Sequence, residues 1–172
     1  VALKENTTGT QNVAVGAGAL DANTTGNRNT ALGFSSLGAN TTGASNTAVG
    51  NECLPKNTTG GDNVSVGDKA MLENLTGDDN TALGREALMN NTSADNNTAV
   101  GYHSMRANTT GHSNVAVGAL ALDANTTANH NTAIGLNSLG VNTTGLANTA
   151  IGSGALDANT TASNNTAVGF SS

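Results

Sequence analysis

The feature that most constrains the fold of this chain is a repeat of 17 residues that never changes length. The pentapeptide N-T-A-L-G at residues 29–33 recurs as N-T-A-V-G at residues 46–50 and 97–101. With that asparagine as position 1, nine complete units occupy residues 12–164, and partial units occupy residues 1–11 and 165–172. A fold that tolerates loops would let the unit length vary. A constant length therefore predicts a chain wound at a fixed circumference.

The residue types within the unit predict short strands joined by tight bends. The unit has the pattern N-[TV]-A-[VIL]-G-x-x-[AS]-[LM]-x-x-N-[TL]-[TS]-[GA]-x-x, with Ser65 and Cys53 as exceptions at positions 3 and 8. Such a unit is too short for a pair of helices, and its recurrent Gly and Asn would interrupt a helix. Thr and Val between Gly and Asn favour strands and turns. We predict an all-β fold, a parallel β-solenoid (β-roll) with 17-residue turns about 4.8 Å apart.

Residues 1–172 are predicted to form a single solenoid domain. Both ends fall within a unit and neither carries a polar capping turn, so we expect the chain to be an excerpt of a longer one. Charged residues make up only 10% of the chain, fewer than in most disordered proteins. A net charge of −6 with scattered Lys and Arg argues against nucleic-acid binding. The absence of any apolar run of about 18 residues argues against membrane insertion.

Charged residues occupy only six of the 17 positions, which distinguishes a solvated edge from an interior. All of them fall at positions 6, 7, 10, 11, 16 and 17. The positions that never carry a charge are expected to be buried, because burying a charged group without a partner costs its hydration energy. Strand alternation suggests that position 4, always aliphatic, faces a core with position 2, and that position 9, always Leu or Met, adds a second column. The predicted core residues are Val15, Leu32, Val49, Val66, Leu83 and Val100 at position 4, with Leu20 and Leu37 at position 9.

Small residues at positions 3 and 8 raise the question of a second copy of the chain. Position 3 lies on the strand face opposite position 4 and is Ala in every unit except at Ser65. Position 8 is Ala, Ser or Cys. If both faces of the turn are buried, a parallel homo-oligomer is expected, most simply a homotrimer around the rod axis. The alternative is that small residues fit a tight bend in a monomer.

Two positions of the unit are asparagine in every copy, and they predict ladders of stacked amides along the axis. Every position-12 asparagine also begins an N-x-[ST] sequence, so glycosylation is the alternative to an inward or edge-capping ladder. We favour the ladder, because glycans on successive turns would lie only about 4.8 Å apart. The predicted ladder residues are Asn12, Asn29, Asn46, Asn63, Asn80, Asn97, Asn114, Asn131, Asn148 and Asn165 at position 1, with Asn23 and Asn40 at position 12.

Few residues depart from the repeat in a way that could build a site, and no catalytic constellation or cofactor motif is present. The carboxylates at positions 16 and 17 of three successive turns are a weak candidate calcium site, and a solvated acidic edge is the favoured alternative. The aromatic residues all stand at position 6 and could contact a sugar or a partner protein. Cys53 is expected to be a buried substitute for alanine. The metal candidates are Asp62, Asp78, Asp79 and Asp95, and the candidate ligand contacts are Phe34, Tyr102 and Phe170.

The repeat resembles those in the heads of YadA-type trimeric autotransporter adhesins. It is still more similar to the N-T-A-V-G-x-x-A-L-x-x-N-T-T-G arrays of phage tail fibres and related bacterial surface proteins, and this resemblance covers the whole chain. The resemblance implies a trimeric, exported β-roll that serves as an adhesin or a receptor-binding shaft.

The sequence therefore predicts a structural or adhesive shaft of an extracellular fibre, on a cell surface or a virion, without catalysis. Its expected partners are further copies of itself and a host-surface glycan or protein. One alternative is a self-assembling filament without a receptor role. Another is an ice-binding solenoid, suggested by the Thr columns at positions 13 and 14, although adjacent residues of a strand point to opposite faces.

Overall fold

The computed structural model describes residues 1–172 and contains ten three-residue strands and no helix. All ten strands pair in parallel, in chain order, within one sheet. The predicted all-β parallel solenoid of 17-residue turns is thereby confirmed. No helix capable of crossing a membrane is present. The strands are β1 (Val13–Val15), β2 (Thr30–Leu32), β3 (Thr47–Val49), β4 (Val64–Val66), β5 (Thr81–Leu83), β6 (Thr98–Val100), β7 (Val115–Val117), β8 (Thr132–Ile134), β9 (Thr149–Ile151) and β10 (Thr166–Val168).

The pairing register is the same throughout the sheet, so equivalent residues lie above one another. Ala31 pairs with Ala48 between β2 and β3, and Ala82 pairs with Ala99 between β5 and β6. Backbone hydrogen bonds extend this ladder beyond the strands; for example, the Thr41 amide donates to the Thr58 carbonyl at 2.9 Å. Every column of the unit is consequently a continuous row of side chains along the rod.

Left-handed backbone conformations produce the bends. Lys69, Met71 and Asp79, at positions 7, 9 and 17, have φ values of +56°, +50° and +56°. Equivalent residues in the other units share this conformation, which is uncommon for a residue with a side chain. Each such residue costs about 1–3 kcal/mol, so the cost recurs at every turn. At position 9 the fully buried Leu or Met offsets part of it.

The interior of the coil is narrow and is lined by positions 3, 8 and 9. Position 8 of one unit faces position 3 of the next: Ser104 Oγ donates to the Ala116 carbonyl at 3.0 Å, and Ser138 Oγ donates to the Ala150 carbonyl at 2.9 Å. Only small side chains fit between these two walls: position 3 is Ala or Ser, and position 8 is Ala, Ser or Cys. Leu20 and Leu37 at position 9 are fully buried, as are Ala31, Ala48, Ala82, Ala99, Ala116, Ala133 and Ala150 at position 3.

The prediction that position 4 faces the core is wrong. Val15, Leu32, Val66 and Leu83 are 36–55% exposed, and Val49 and Val100 are only partly buried. The physical reason is strand alternation: positions 1 and 3 point inward, so positions 2 and 4 point outward. We call the outward side of the ten strands, formed by positions 2 and 4, the sheet face.

The argument for an oligomer from position 3 also fails. The alanine column packs against the chain's own position-8 residues and has no second surface to cover. The alternative, in which small residues fit a narrow coil, accounts for positions 3 and 8. Any contact with another copy must involve a different part of the turn.

Candidate functional site

The position-12 asparagines form one internal ladder. Asn40 Nδ2 donates to Asn23 Oδ1 at 2.9 Å, and Asn57 Nδ2 donates to Asn40 Oδ1 at the same distance. Asn40 Nδ2 also donates to the carbonyl of Gly43 in its own unit at 3.0 Å. Asn23, Asn40 and Asn57 are fully buried, so a glycan on these amides is incompatible with the packing of the folded chain.

The position-1 asparagines form a second ladder beside the first. Asn29 Oδ1 accepts a hydrogen bond from the Asn46 amide at 3.0 Å, while Asn46 Nδ2 crosses to the Gly60 carbonyl at 2.8 Å. The same carbonyl accepts a hydrogen bond from Asn57 Nδ2 at 2.9 Å, which joins the two ladders. Side-chain amides thus supply the donors that this buried carbonyl needs. Asn29, Asn46, Asn63, Asn80, Asn97, Asn114, Asn131 and Asn148 are fully buried, and Asn12 and Asn165 at the ends are partly buried.

The carboxylates considered as a calcium site do not converge. Asp78 Oδ1 accepts the Gly61 backbone amide at 2.6 Å, and Asp95 Oδ1 accepts the Asp78 amide at 2.8 Å. Asp62 and Asp79 lie exposed at left-handed bends. No three His, Cys, Asp or Glu residues come together in a way that could hold a metal ion. Asp78 and Asp95 instead satisfy backbone donors at position 16, as Asn27 and Asn129 do in other turns.

Charged side chains on the edge pair with their equivalents one turn away. Lys56 Nζ lies 2.7 Å from Glu73 Oε2, and Arg106 Nε lies 3.1 Å from Asp123 Oδ1. Within one turn, the hydrogen bond to Glu5, and then its charge, raises the pKa of Lys4, and the same contact lowers the pKa of Glu5. The lysine pairs are solvent-exposed and the Arg106–Asp123 pair is only partly buried, so each contributes little to stability.

The aromatic side chains are exposed but far apart. Phe34, Tyr102 and Phe170 are 56%, 46% and 83% exposed. Four turns, or about 19 Å, separate each from the next along the rod. Tyr102 stacks on the neighbouring His103, with ring centroids 3.7 Å apart. The structure therefore does not unite these residues in one site, and no pocket is present on the surface.

The threonines at position 13 use their hydroxyls within the rod. Thr24 Oγ1 donates to the Thr41 carbonyl at 3.1 Å, and Thr41 Oγ1 donates to the Thr58 carbonyl at 3.0 Å. These hydroxyl protons are therefore not free to donate to the water molecules of an ice surface, as the ice-binding alternative would require. The position-14 column is exposed beside them.

Cys53 makes a contact that links the two exceptions to the repeat. Its Sγ lies 3.0 Å from Ser65 Oγ and donates to the Ser65 carbonyl at 3.1 Å. The only cysteine at position 8 therefore meets the only serine at position 3. Burial raises the pKa of the Cys53 thiol to about 11, although the hydrogen bond to Ser65 acts in the opposite direction.

We expect Cys53 to be unreactive in the folded chain. A thiol with a pKa of about 11 is ionised in only about one molecule in a thousand at pH 8, and burial also blocks access. Alkylation by iodoacetamide should be at least about 100-fold slower in buffer than in urea. Rapid, stoichiometric labelling of the folded chain would contradict this burial.

The same raised pKa makes stability depend on alkaline pH. The thiol's stabilising contribution is complete below its ordinary pKa of 9.0 and is lost as pH rises towards about 11, because the unfolded chain ionises first. The total loss should be about 2–3 kcal/mol. Cys53→Ala, which copies position 8 of other units, should remove this component of the pH dependence.

No protein-family model, curated protein or solved structure matches this chain. The two asparagine ladders, the paired charges and the sheet face are each repeated along the rod and are not concentrated at one place.

Proposed function

We propose that this chain is a non-catalytic shaft segment of an extracellular fibre, either a bacterial surface adhesin or a phage tail fibre. The supporting observation is the uniform register of the strand pairs, with both asparagine ladders running the length of the rod. Each added unit lengthens such a rod by about 4.8 Å without changing its cross-section. A structure of this kind is suited to holding a binding surface at a set distance.

Rigidity along the axis follows from how each turn is attached to the next. The Thr47 and Gly50 amides donate to the Asn63 and Leu32 carbonyls at 2.8 Å, and side-chain amides reinforce these bonds inside the coil. Bending the rod would stretch many such bonds on one side at once. A shaft with these properties transmits position and load without needing a compact core of large side chains.

The proposed partners are further copies of the chain, in a parallel homotrimer or a filament, and a host-surface glycan or protein. The exposed aromatics offer apolar faces at intervals of four turns, which suits repeated weak contacts with an extended surface. A filament that carries no receptor site is the alternative function.

Immunogold labelling of intact source cells or virions with antibodies to this chain tests the proposal. We expect gold along fibres that project from the surface. Label confined to the cell interior would contradict it, and long unattached rods of constant width would favour the filament. Thermal hysteresis of the purified chain would instead support ice binding.

Removing whole units should shorten the rod and leave it folded. Deleting residues 80–113, two complete units, joins position 17 to position 1 and keeps every column in register. The maximum dimension from small-angle scattering should decrease by about 10 Å, with an unchanged β-type circular dichroism spectrum per residue. Deleting residues 80–87 joins position 17 to position 9 and should disrupt the fold. Equal effects of the two deletions would contradict a rod of equivalent turns.

A further inference from the structure

The sheet face is an uncharged surface that the chain's own fold leaves uncovered. Position 4 is aliphatic in all ten strands, and position 2 is Thr or Val. Leu32, Leu83, Ile134 and Ile151 are 37–46% exposed although they lie in turns with neighbours on both sides. Ten adjoining rows form a continuous stripe, whereas monomeric soluble proteins rarely expose large contiguous apolar patches.

The chain itself shows that exposure alone does not favour aliphatic residues. Positions 6 and 7 are also outside the core, and they carry charges at Asp68, Lys69, Arg85 and Glu86. Position 4 carries no polar residue in any strand, and its side chains add nothing to the interior, which positions 3, 8 and 9 fill. Strand propensity would be met equally well by threonine, which stands at position 2 of most strands. A column that is aliphatic in all ten strands is instead explained by burial against a partner.

The axial spacing identifies the kind of partner. Rows of the sheet face recur about every 4.8 Å, and another solenoid of the same repeat presents rows at the same spacing. A helix, with a pitch of about 5.4 Å, would shift by about 0.6 Å per row and lose register after about four rows. A second copy of this chain matches all ten rows at once.

The area of the stripe is sufficient for a specific contact between copies. Two columns about 7 Å apart, with the width of their side chains, span about 11 Å, and ten rows extend about 45 Å. Two facing stripes would bury roughly 1,000 Å² in total, the lower bound for a specific protein interface. No charge would be desolvated, since neither column contains one.

We propose that copies of this chain associate through the sheet face, with their rod axes aligned and the position-2 and position-4 columns of adjacent copies in contact. This inference rests on the proposed function, because it specifies the surface by which shafts join into a thicker fibre. It replaces the position-3 column as the contact between copies.

Charges placed on the sheet face test the proposal. Leu83→Glu with Val100→Glu puts two carboxylates on adjacent strands of the sheet face, where Leu83 is exposed and Val100 partly buried, so like charges meet when copies associate. Sedimentation equilibrium should show the wild-type chain as a multiple of 16.8 kDa. The double variant should associate about 100-fold more weakly, because like charges would face each other in the contact.

The control pair is Thr76→Glu with Ser93→Glu, which adds the same charge at exposed position 14 of two successive turns. It should associate as the wild type does. Leu83→Thr with Val100→Thr is a second test that preserves the fold, because threonine already occupies position 2 of the same sheet. We expect it to weaken association about 10-fold by removing apolar contact.

A wild-type chain that stays monomeric up to about 1 mM would overturn the proposal, since that is weaker than specific interfaces. Equal weakening by the control pair would also overturn it, because net charge and not the sheet face would then govern association. Neither result would contradict the proposed shaft function. That function is tested separately by the immunogold experiment, which does not depend on self-association in solution.

Discussion

Asn80→Asp should destabilise the rod by about 3–5 kcal/mol at pH 7, the cost of leaving a buried charge without a partner. Asn80 Nδ2 directs its two hydrogens at three oxygens, so that one hydrogen is shared: the Ala94 carbonyl at 2.8 Å, the Asp78 carbonyl at 3.0 Å and Asn63 Oδ1 at 3.2 Å. Aspartate has the same shape, but it would present a carboxylate oxygen to these three acceptors. Only the bond accepted by Asn80 Oδ1 from the Asn97 amide would persist.

The loss should depend on pH, which distinguishes a buried charge from simple misfit. Burial among oxygens would raise the pKa of the new carboxyl above its unfolded value of about 3.9. The destabilisation is therefore full above the folded-state pKa and shrinks as pH falls towards the unfolded value. Urea denaturation at pH 7 and pH 4, with the wild type measured at both, provides the comparison.

Asn96→Asp is the matched control, because Asn96 is exposed at position 17, where Asp62 and Asp79 stand in other units. Its effect should be within about 0.5 kcal/mol, as for most surface substitutions. Equal losses of unfolding free energy for Asn80→Asp and Asn96→Asp would contradict this role of the ladder. So would an Asn80→Asp loss that is the same at pH 7 and pH 4, because the buried side chain would then not need to be a hydrogen-bond donor.

The turn length and register could be predicted from sequence because they depend only on counting. A unit without insertions forces equivalent residues such as Ala31 and Ala48 into pairing positions, whatever the shape of the turn. The positions of charged residues likewise separated the edge from the interior, since burial excludes charge regardless of the local backbone.

The direction of the strand side chains was predicted wrongly, although the sequence held the information. An inward asparagine at position 1 and an inward aliphatic residue at position 4 cannot both occur in one strand, because residues an odd number apart face opposite sides. Hydrophobicity alone favours an inward position 4, whereas an inward amide ladder at position 1 requires position 4 to face outward. The structure has Asn29 inside and Leu32 outside, because an amide with hydrogen-bond partners can be buried, and the narrow coil admits only small residues at position 3.

The bend conformations were less accessible to sequence reasoning. Nothing in a buried leucine such as Leu37 signals a φ of +50°, since leucine rarely adopts it. The contact between Cys53 and Ser65 did leave a signal, namely two exceptions at positions now known to face each other. Recognising it required knowing that position 8 packs against position 3 of the next unit.

Gly84→Ala should destabilise the chain by about 2–6 kcal/mol, through backbone strain together with overpacking. Gly84 has a φ of +138°, which residues with a side chain rarely adopt. A Cβ there would lie 2.5 Å from the Gly101 carbonyl oxygen and 2.7 Å from its carbon. Both atoms are backbone, so relief requires the next turn to move and would strain the bond from the Gly101 amide to the Leu83 carbonyl.

Gly18→Ser is the matched control, because it replaces a glycine of positive φ at a site where the added side chain meets no steric clash. Gly18 has a φ of +70°, and the nearest atom to a Cβ there would be Ser35 Oγ, 3.4 Å away. Ser35 itself holds the same position one turn later. Its cost should be about 1 kcal/mol, the usual penalty for a left-handed residue with a side chain. If Gly84→Ala cost no more than Gly18→Ser in thermal or urea unfolding, the glycine at position 5 would serve chain flexibility alone. A several-fold larger loss would instead establish that the spacing between turns leaves no room for a single methyl group at this corner.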